Sequence, residues 1–353
     1  MTNQNYKDPV ICFNNMALWY RSHLIPFGLA LIAFLIITTG GWIRVSGAGE
    51  SCPDWPTCFG TWGFNVTPEE QGEWWDENPD EIDSRGVGHR YTTDQIFTEW
   101  AHRGLVGIIG ILVIYSHYTT WTLKEKIGEQ TYKMHYVVSI FLILQAILGY
   151  VTVDLDNAPW TVSIHLFMAL MFTTSLLAVG LFWWEGENEL PNYLRIANAN
   201  KIKMIMWYSS AILLFQILIG AYLSTSHHRA ACGLGFYEGW PLCGSSIIPN
   251  LSQFGILLQF VHRISAILIG AILIWIRIKN KEITSNPTIT KLFDVMLAFY
   301  FINILLGGLY IISAAEGDFP EWISLLHLLI GTLTFLTSAF AYLTCTIPKE
   351  VKS

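Results

Sequence analysis

The sequence predicts an all-α polytopic membrane protein whose eight transmembrane helices form two tandem, repeat-related four-helix bundles. Hydrophobic residues make up 52% of the 353 residues and charged residues 13%, and the mean hydropathy is +0.42. A soluble domain of this size does not need so much apolar surface for its core. Eight apolar runs approach or exceed the length of about 20 residues that crosses a bilayer. The order of motifs in the first half of the chain also recurs in the second half.

The eight runs differ little in character. The run at about 251–276 contains Arg263, and the other seven carry no charged residue, at 24–43, 104–123, 134–153, 157–184, 204–228, 295–315 and 322–348. The first run is a full-length span and no small-residue cleavage site follows it, so we expect no cleavable signal peptide.

Charge predicts the topology. Most of the 20 lysines and arginines lie in the two terminal segments and in the connectors at 124–133, 185–203 and 277–291. By the positive-inside rule these segments are cytoplasmic, so both termini are cytoplasmic and the long acidic loop after the first span is outside. The net charge of −7 arises largely from that loop. The sequence has no basic patch of the kind that binds nucleic acid.

These assignments divide the chain into five segments. They are a cytoplasmic arm at 1–23, an N-terminal bundle with its long outer loop at 24–184, a cytoplasmic linker at 185–203, a C-terminal bundle at 204–345 and a cytoplasmic tail at 346–353.

Four histidines carry the repeat. The stretch "EWAHR" with His102 aligns with "QFVHR" with His262, and His165 and His327 follow these histidines by 63 and 65 residues. Two histidines at one depth on facing helices supply the axial imidazoles that a haem needs. A single histidine in a membrane helix is usually packed and hydrogen-bonded, but four in a two-by-two repeat favour two bis-histidine sites near the outer face.

The two halves differ beside these histidines, because Glu99 in the first half is replaced by Gln259 in the second. Glu99 lies three residues before His102 and so on the same helix face. One interpretation is an ion pair with Arg103, which is worth little when exposed. The other is a carboxylate that moves protons beside one haem. The asymmetry favours the second interpretation, since Arg263 has no such carboxylate, and it indicates one substrate haem and one electron-transfer haem.

Two outer loops each contain a pair of cysteines: Cys52 with Cys58, and Cys232 with Cys243. The oxidising outer compartment favours two disulfides, and a metal site is the alternative. The short ring between two prolines predicts that the first disulfide is strained, exposed and reducible, while the second braces its loop. Cys12 and Cys345 lie toward the cytoplasm, and we expect free thiols there.

Together these motifs resemble the haem A synthase family, membrane enzymes that oxidise haem O to haem A for cytochrome oxidases. The resemblance covers about 24–345 and rests on "GGWIRVSGAGESCPDWPTCFG", on "EWAHR" and "QFVHR", and on the histidines of the fourth and eighth spans. It implies oxidation of the C8 methyl of haem O, through an alcohol and a hydrated aldehyde, to a formyl group. It also implies an N-terminal active site, a haem B in the C-terminal bundle and a location in the bacterial cytoplasmic (inner) membrane.

By position, the resemblance makes His102 and His165 the ligands of the substrate haem, and His262 and His327 the ligands of haem B. It makes Glu99 the catalytic acidic residue. Both haem sites are then expected toward the extracytoplasmic side.

The resemblance also links Cys52 and Cys58 to catalysis, as in the cysteine-bearing bacterial branch of the family. Arg44, at the outer end of the first span, is placed either to meet a haem propionate or to face lipid headgroups. Residues 65–95 of the outer loop match no assigned role.

Two other functions fit part of the pattern. A dihaem b-type cytochrome that passes electrons from quinol needs the same four histidines, but it does not explain the Glu99 to Gln259 difference. A transporter with parallel repeats explains the architecture alone. For the synthase, haem O synthase is the expected upstream donor. The sequence identifies no electron acceptor, and it is compatible with an oligomer.

Overall fold

The structure is a computed structural model that describes residues 22–196 and 199–347. The predicted N-terminal arm up to residue 21, with Cys12, and the tail beyond residue 347 lie outside the described residues. In chain order the α-helices are α1 Leu24–Val45, α2 Pro68–Glu77, α3 Thr93–Thr122, α4 Lys124–Ile127, α5 Glu129–Asp154, α6 Pro159–Gly186, α7 Ala199–Thr225, α8 Phe254–Lys279, α9 Lys281–Thr284, α10 Pro287–Ser313 and α11 Glu321–Thr344.

The helices α2, α4 and α9 are short and lie in connecting segments. Within the described ranges the other eight are long and apolar enough to cross a membrane. The chain is therefore an all-helical, multi-pass membrane protein, and the eight predicted spans are confirmed.

Several spans begin earlier than the charge-free runs predict, and the differences are largest for α3 and α10. Helix α3 begins at Thr93 rather than at residue 104, and Thr92 caps it by a reciprocal pair of hydrogen bonds with Gln95. Helix α10 begins at Pro287 rather than at residue 295, and the side chain of Asn286 caps its first turn. A charge-free run marks the apolar part of a helix, whereas capping residues mark where its backbone starts.

Contacts between spans define two groups. In the N-terminal group α1 packs against α3 and α6, and α5 packs against α3 and α6. In the C-terminal group α7 packs against α8 and α11, and α10 packs against the same two helices. The groups meet where α6 contacts α7 and α11, and where α1 contacts α11. A cavity between the groups is consequently lined by side chains from both.

The long loop between α1 and α3 folds into a small cap. Thr67 starts α2 with a capping box, and Trp75 of α2 is 1% exposed. The Trp75 ring packs edge-on against Phe59, with the ring centroids 5.5 Å apart, in a cluster that includes the first cysteine pair. Residues 65–95, which match no role in the sequence, therefore cover the first cysteine loop.

Both cysteine pairs form disulfides, Cys52 with Cys58 and Cys232 with Cys243. The prediction of two disulfides is confirmed, and the metal-site alternative is wrong. The expectation that the first disulfide is exposed is also wrong, because the cap buries Cys52 and Cys58 completely. Among the described cysteines, Cys345 is the free thiol, and it is buried.

Candidate functional site

The cavity between the two helix groups has a volume of about 430 Å³. Small-molecule sites typically enclose about 300–1,000 Å³. All four predicted ligand histidines line this cavity: His102 from α3, His165 from α6, His262 from α8 and His327 from α11. The fold thus gathers into one apolar space four imidazoles that are far apart in the chain.

Each of the four imidazoles lies against a glycine on the preceding span. A Cβ added to Gly40, Gly149, Gly220 or Gly307 would lie 3.3, 3.4, 3.0 or 2.9 Å from Cε1 of His102, His165, His262 or His327, respectively. An added Cβ would force the ring to shift at Gly307, would require the ring to move by a few tenths of an ångström at Gly40 and Gly220, and would make an ordinary contact at Gly149. The same contact, a glycine facing a histidine of the next span, therefore occurs four times in the described residues. Sequence reasoning missed this pattern because glycine is common in membrane helices.

One histidine of each pair has its tautomer fixed by a neighbour. Nδ1 of His102 lies 2.8 Å from the Thr39 hydroxyl, which itself donates to the Ile36 carbonyl. That hydroxyl therefore accepts a hydrogen bond from the protonated Nδ1 of His102. Nδ1 of His327 donates to the Asn303 carbonyl at 2.9 Å. In both rings Nε2 keeps its lone pair, which is the arrangement that a metal-ligating histidine needs.

Carboxamides contact the other two histidines. Nε2 of Gln145 lies 3.3 Å from Nε2 of His165 and donates to the His165 carbonyl at 3.2 Å. Nε2 of Gln216 lies 3.1 Å from Nδ1 of His262 and donates to the His262 carbonyl at 2.9 Å. Nδ1 of His165 is buried and has no hydrogen-bond partner among the described residues.

The spacing of the C-terminal pair fits a haem iron. The ring centroids of His262 and His327 are 6.5 Å apart. Imidazole nitrogens bind transition metals at about 2 Å, so two imidazoles on opposite sides of one iron place their centroids roughly 6 Å apart. The glycines that contact the imidazoles (hereafter the glycine seats), the apolar walls of the cavity and this spacing together suit a bis-histidine haem.

Glu99 lies in the second turn of α3, bonded to the first cysteine loop and outside the lining of the cavity. Its Oε1 accepts from Arg103 at 2.7 Å, and its Oε2 accepts from the Cys52 N–H at 3.0 Å and from the Ser51 hydroxyl at 3.1 Å. The side chain is 4% exposed. The ion pair with Arg103 is therefore present, and it is buried rather than exposed. Removing one partner of a buried pair is costly.

Gln259 makes hydrogen bonds of the opposite polarity. Its Nε2 donates to the carbonyls of His228 and Arg229 at 3.2 and 2.6 Å, and it lines the cavity. The first cysteine loop thus presents donors to Glu99, whereas the second presents acceptors to Gln259. This local difference gives a reason for the substitution that is independent of proton chemistry, and sequence reasoning missed it.

The arginine beside each histidine holds a cysteine loop in place. Nη1 of each arginine donates to two backbone carbonyls of its loop: Arg103 to Asp54 and Thr57 at 2.5 and 3.0 Å, and Arg263 to Gly239 and Leu242 at 2.6 and 2.8 Å. The His-Arg pairs therefore connect the histidine sites to the loops above them.

Comparison with known proteins identifies the family. Residues 24–339 match the model of the COX15-CtaA family, which is described as a cytochrome oxidase assembly protein. The chain belongs to the COX15-CtaA family.

Several relatives of this family member are named haem A synthase. The one from Flavobacterium johnsoniae is 26% identical, over 88% of this chain and 93% of the relative. The one from Wolbachia pipientis wMel is 22% identical over 93% of each chain, and the one from Shouchella clausii is 27% identical over 69% of this chain and 71% of the relative. The similarity to these relatives extends over most of their length.

In this COX15-CtaA member two further arginines line the cavity. Arg44 of α1 donates to the backbone carbonyl of Ser224 in α7, so it joins the two helix groups and faces the cavity rather than lipid headgroups. Arg229 pairs with Glu321 at 2.8 Å and with the Tyr310 hydroxyl at 3.1 Å. Of the two, Arg44 bonds to a neutral carbonyl, so its charge is the better suited to a carboxylate of a bound ligand.

Proposed function

We propose that this chain is a haem A synthase, which oxidises the C8 methyl group of haem O to the formyl group of haem A. The observation that carries this proposal is the cavity that gathers four imidazoles, each seated against a glycine. The name that the relatives share favours the synthase over the dihaem cytochrome, which receives no support. A transporter gives no reason for four ligand-type histidines in one cavity.

In this proposal His262 and His327 hold haem B, and His102 and His165 hold the substrate haem O. When bound, haem B supplies a one-electron acceptor close to the substrate site. The protein contributes the orientation of the imidazoles, through contacts such as that between Asn303 and His327. Arg44 is the proposed partner of a haem propionate.

Glu99, Cys52 and Cys58 act as one unit in this proposal. Each two-electron oxidation of the methyl carbon releases protons, and a positioned carboxylate can accept them. The Glu99 carboxylate is bonded directly to the backbone of Cys52, so its ionisation and the geometry of the disulfide loop are coupled. Because Glu99 lies behind the cavity wall, its proposed role is to hold a proton at the edge of the site and to anchor the loop.

We further propose the location and topology that the charge pattern predicts. Segments 24–184 and 204–345 are tandem, repeat-related bundles joined by the cytoplasmic linker 185–203, with both termini in the cytoplasm. The haem sites then face the extracytoplasmic side of a bacterial cytoplasmic membrane. Haem O synthase is the proposed upstream donor, and lateral delivery from the bilayer suits so apolar a substrate.

Extraction of pigment from the purified protein, followed by the pyridine haemochrome assay, tests the proposed function. Haem O or haem A together with haem B supports the synthase. Haem B alone supports the cytochrome, and protein free of haem supports the transporter.

The glycine seats give a sharper test of haem binding. Gly220→Ala places a Cβ 3.0 Å from Cε1 of His262. Overpacking of this kind costs about 1–3 kcal/mol, so we expect haem B affinity to fall roughly 5- to 150-fold. Titration with haem and the spectrum of the bound form measure it. The matched control is Gly110→Ala, because, apart from the adjacent residues and backbone of α3 itself, no atom of the described residues lies within 4 Å of that added Cβ. Equal haem affinity in the two variants would contradict the seating of His262.

A further inference from the structure

The two cysteine loops share a second motif, Trp-Pro-x-Cys, which starts at Trp55 in the first loop and at Trp240 in the second. In each loop an arginine binds the carbonyl of the residue before the tryptophan and the carbonyl of the residue after the proline. In each loop the final cysteine also forms a short antiparallel bridge to the residue three positions later. The two backbones are therefore anchored alike.

The two tryptophan side chains nevertheless differ. Trp240 turns into the cavity and packs against Gly308 of α10, where an added Cβ would lie only 2.7 Å from Cε2 of the indole. Trp55 is 68% exposed. Equivalent loops thus present one tryptophan to the C-terminal histidine site and turn the other outward.

Adjacent glycines explain why Trp240 fits. In α10 Gly307 seats the imidazole of His327, and the next residue, Gly308, leaves room for the indole. In α5 the glycine that seats His165 is followed by Tyr150, whose side chain is 57% exposed and donates to Asp154 at 3.3 Å. The N-terminal group therefore has no second glycine that would leave space for the Trp55 side chain.

We propose that Trp240 is a retention residue that closes the loop end of the C-terminal haem site, whereas the outward Trp55 leaves the N-terminal site open for exchange. This proposal rests on the proposed function, in which one haem is a resident cofactor and the other enters and leaves in each reaction cycle. Trp240 is half-buried, and its indole provides a flat apolar wall at the edge of the cavity. In this position it would slow departure of the resident macrocycle and limit the access of water to His262 and His327, which would hold it.

The test measures the rate at which haem B leaves the purified, full-length protein when excess apomyoglobin is added as a scavenger. Trp240→Ala should release haem B at least about tenfold faster than the wild type, which corresponds to about 1.4 kcal/mol. Gly308→Ala should also speed release, because it expels the indole without deleting it. Trp55→Ala is the matched control, and its rate of haem B loss should equal that of the wild type.

Wild-type rates of haem B loss in both Trp240→Ala and Gly308→Ala would overturn the proposal, and so would equal acceleration by Trp55→Ala. Haem A formation by the wild type is measured separately, so the two proposals fail independently. Faster haem B loss without haem A formation keeps the retention residue and rejects the synthase. Haem A formation by the wild type, together with an unchanged rate of haem B loss in the variants, keeps the synthase and rejects the retention residue.

Discussion

Glu99→Gln should lower the rate of haem A formation by about 10² to 10⁴, the range typical for loss of a positioned acid or base, while haem B stays bound. The substitution removes the negative charge that pairs with Arg103 and the group proposed to accept protons. It also turns an amide N–H₂ toward either Arg103 or the donors of Cys52 and Ser51. Haem A is measured by pigment extraction, and haem B by its spectrum.

Because Glu99→Gln also disturbs a buried hydrogen-bond network, it needs a control that does the same elsewhere. Gln259→Glu is matched, since it places a carboxylate oxygen against the carbonyls of His228 and Arg229 in the second cysteine loop. We expect this variant to keep haem A formation within a few-fold of the wild type if proton chemistry belongs to Glu99, since leaving these backbone carbonyls without their donor costs about 1–3 kcal/mol in stability rather than in the chemical step. Similar losses of activity in both variants, or near-normal activity in Glu99→Gln, would leave Glu99 as an anchor of its loop.

The sequence was sufficient for much of the fold. Hydropathy locates a span wherever about 20 apolar residues follow one another, and eight such helices are present. It placed the start of α3 too late, because Arg103 interrupts the apolar run even though the helix continues to the Thr92 cap. It also gave no reason to expect the cap, because the packing of Trp75 on Phe59 depends on contacts between separated parts of one polar loop.

The candidate site also has features that the sequence predicts and features that it does not. A repeat with strong residue identity, such as His102 with His262, can be read from the chain. Features that depend on which side chain faces which backbone group cannot be read from it. The polarity of the loop groups around Glu99 and Gln259, and the glycine beneath each imidazole, are of this kind. The largest error was consequently about exposure, where a disulfide expected at the surface is buried under aromatic side chains.

His262→Ala and His327→Ala should each lower haem B affinity by more than about 100-fold, beyond the 10- to 100-fold that loss of an outer-shell partner of a metal site typically costs. His102→Ala and His165→Ala should leave haem B bound and abolish haem A formation. The reason is the proposed pairing within each helix group, for which the 6.5 Å separation of the His262 and His327 rings is the direct support. The haem content of the four purified variants, resolved by pigment type, measures it.

The control for this series is His135→Ala. His135 is fully buried in a membrane helix and bonds Ser116 at 2.9 Å, but it lies outside the lining of the cavity. Its loss should reduce stability without releasing haem B, so it separates the removal of an axial ligand from the general cost of deleting a buried histidine. If His102→Ala released haem B as fully as His262→Ala, the haem would bridge the two helix groups. The assignment of one haem to each group would then be wrong.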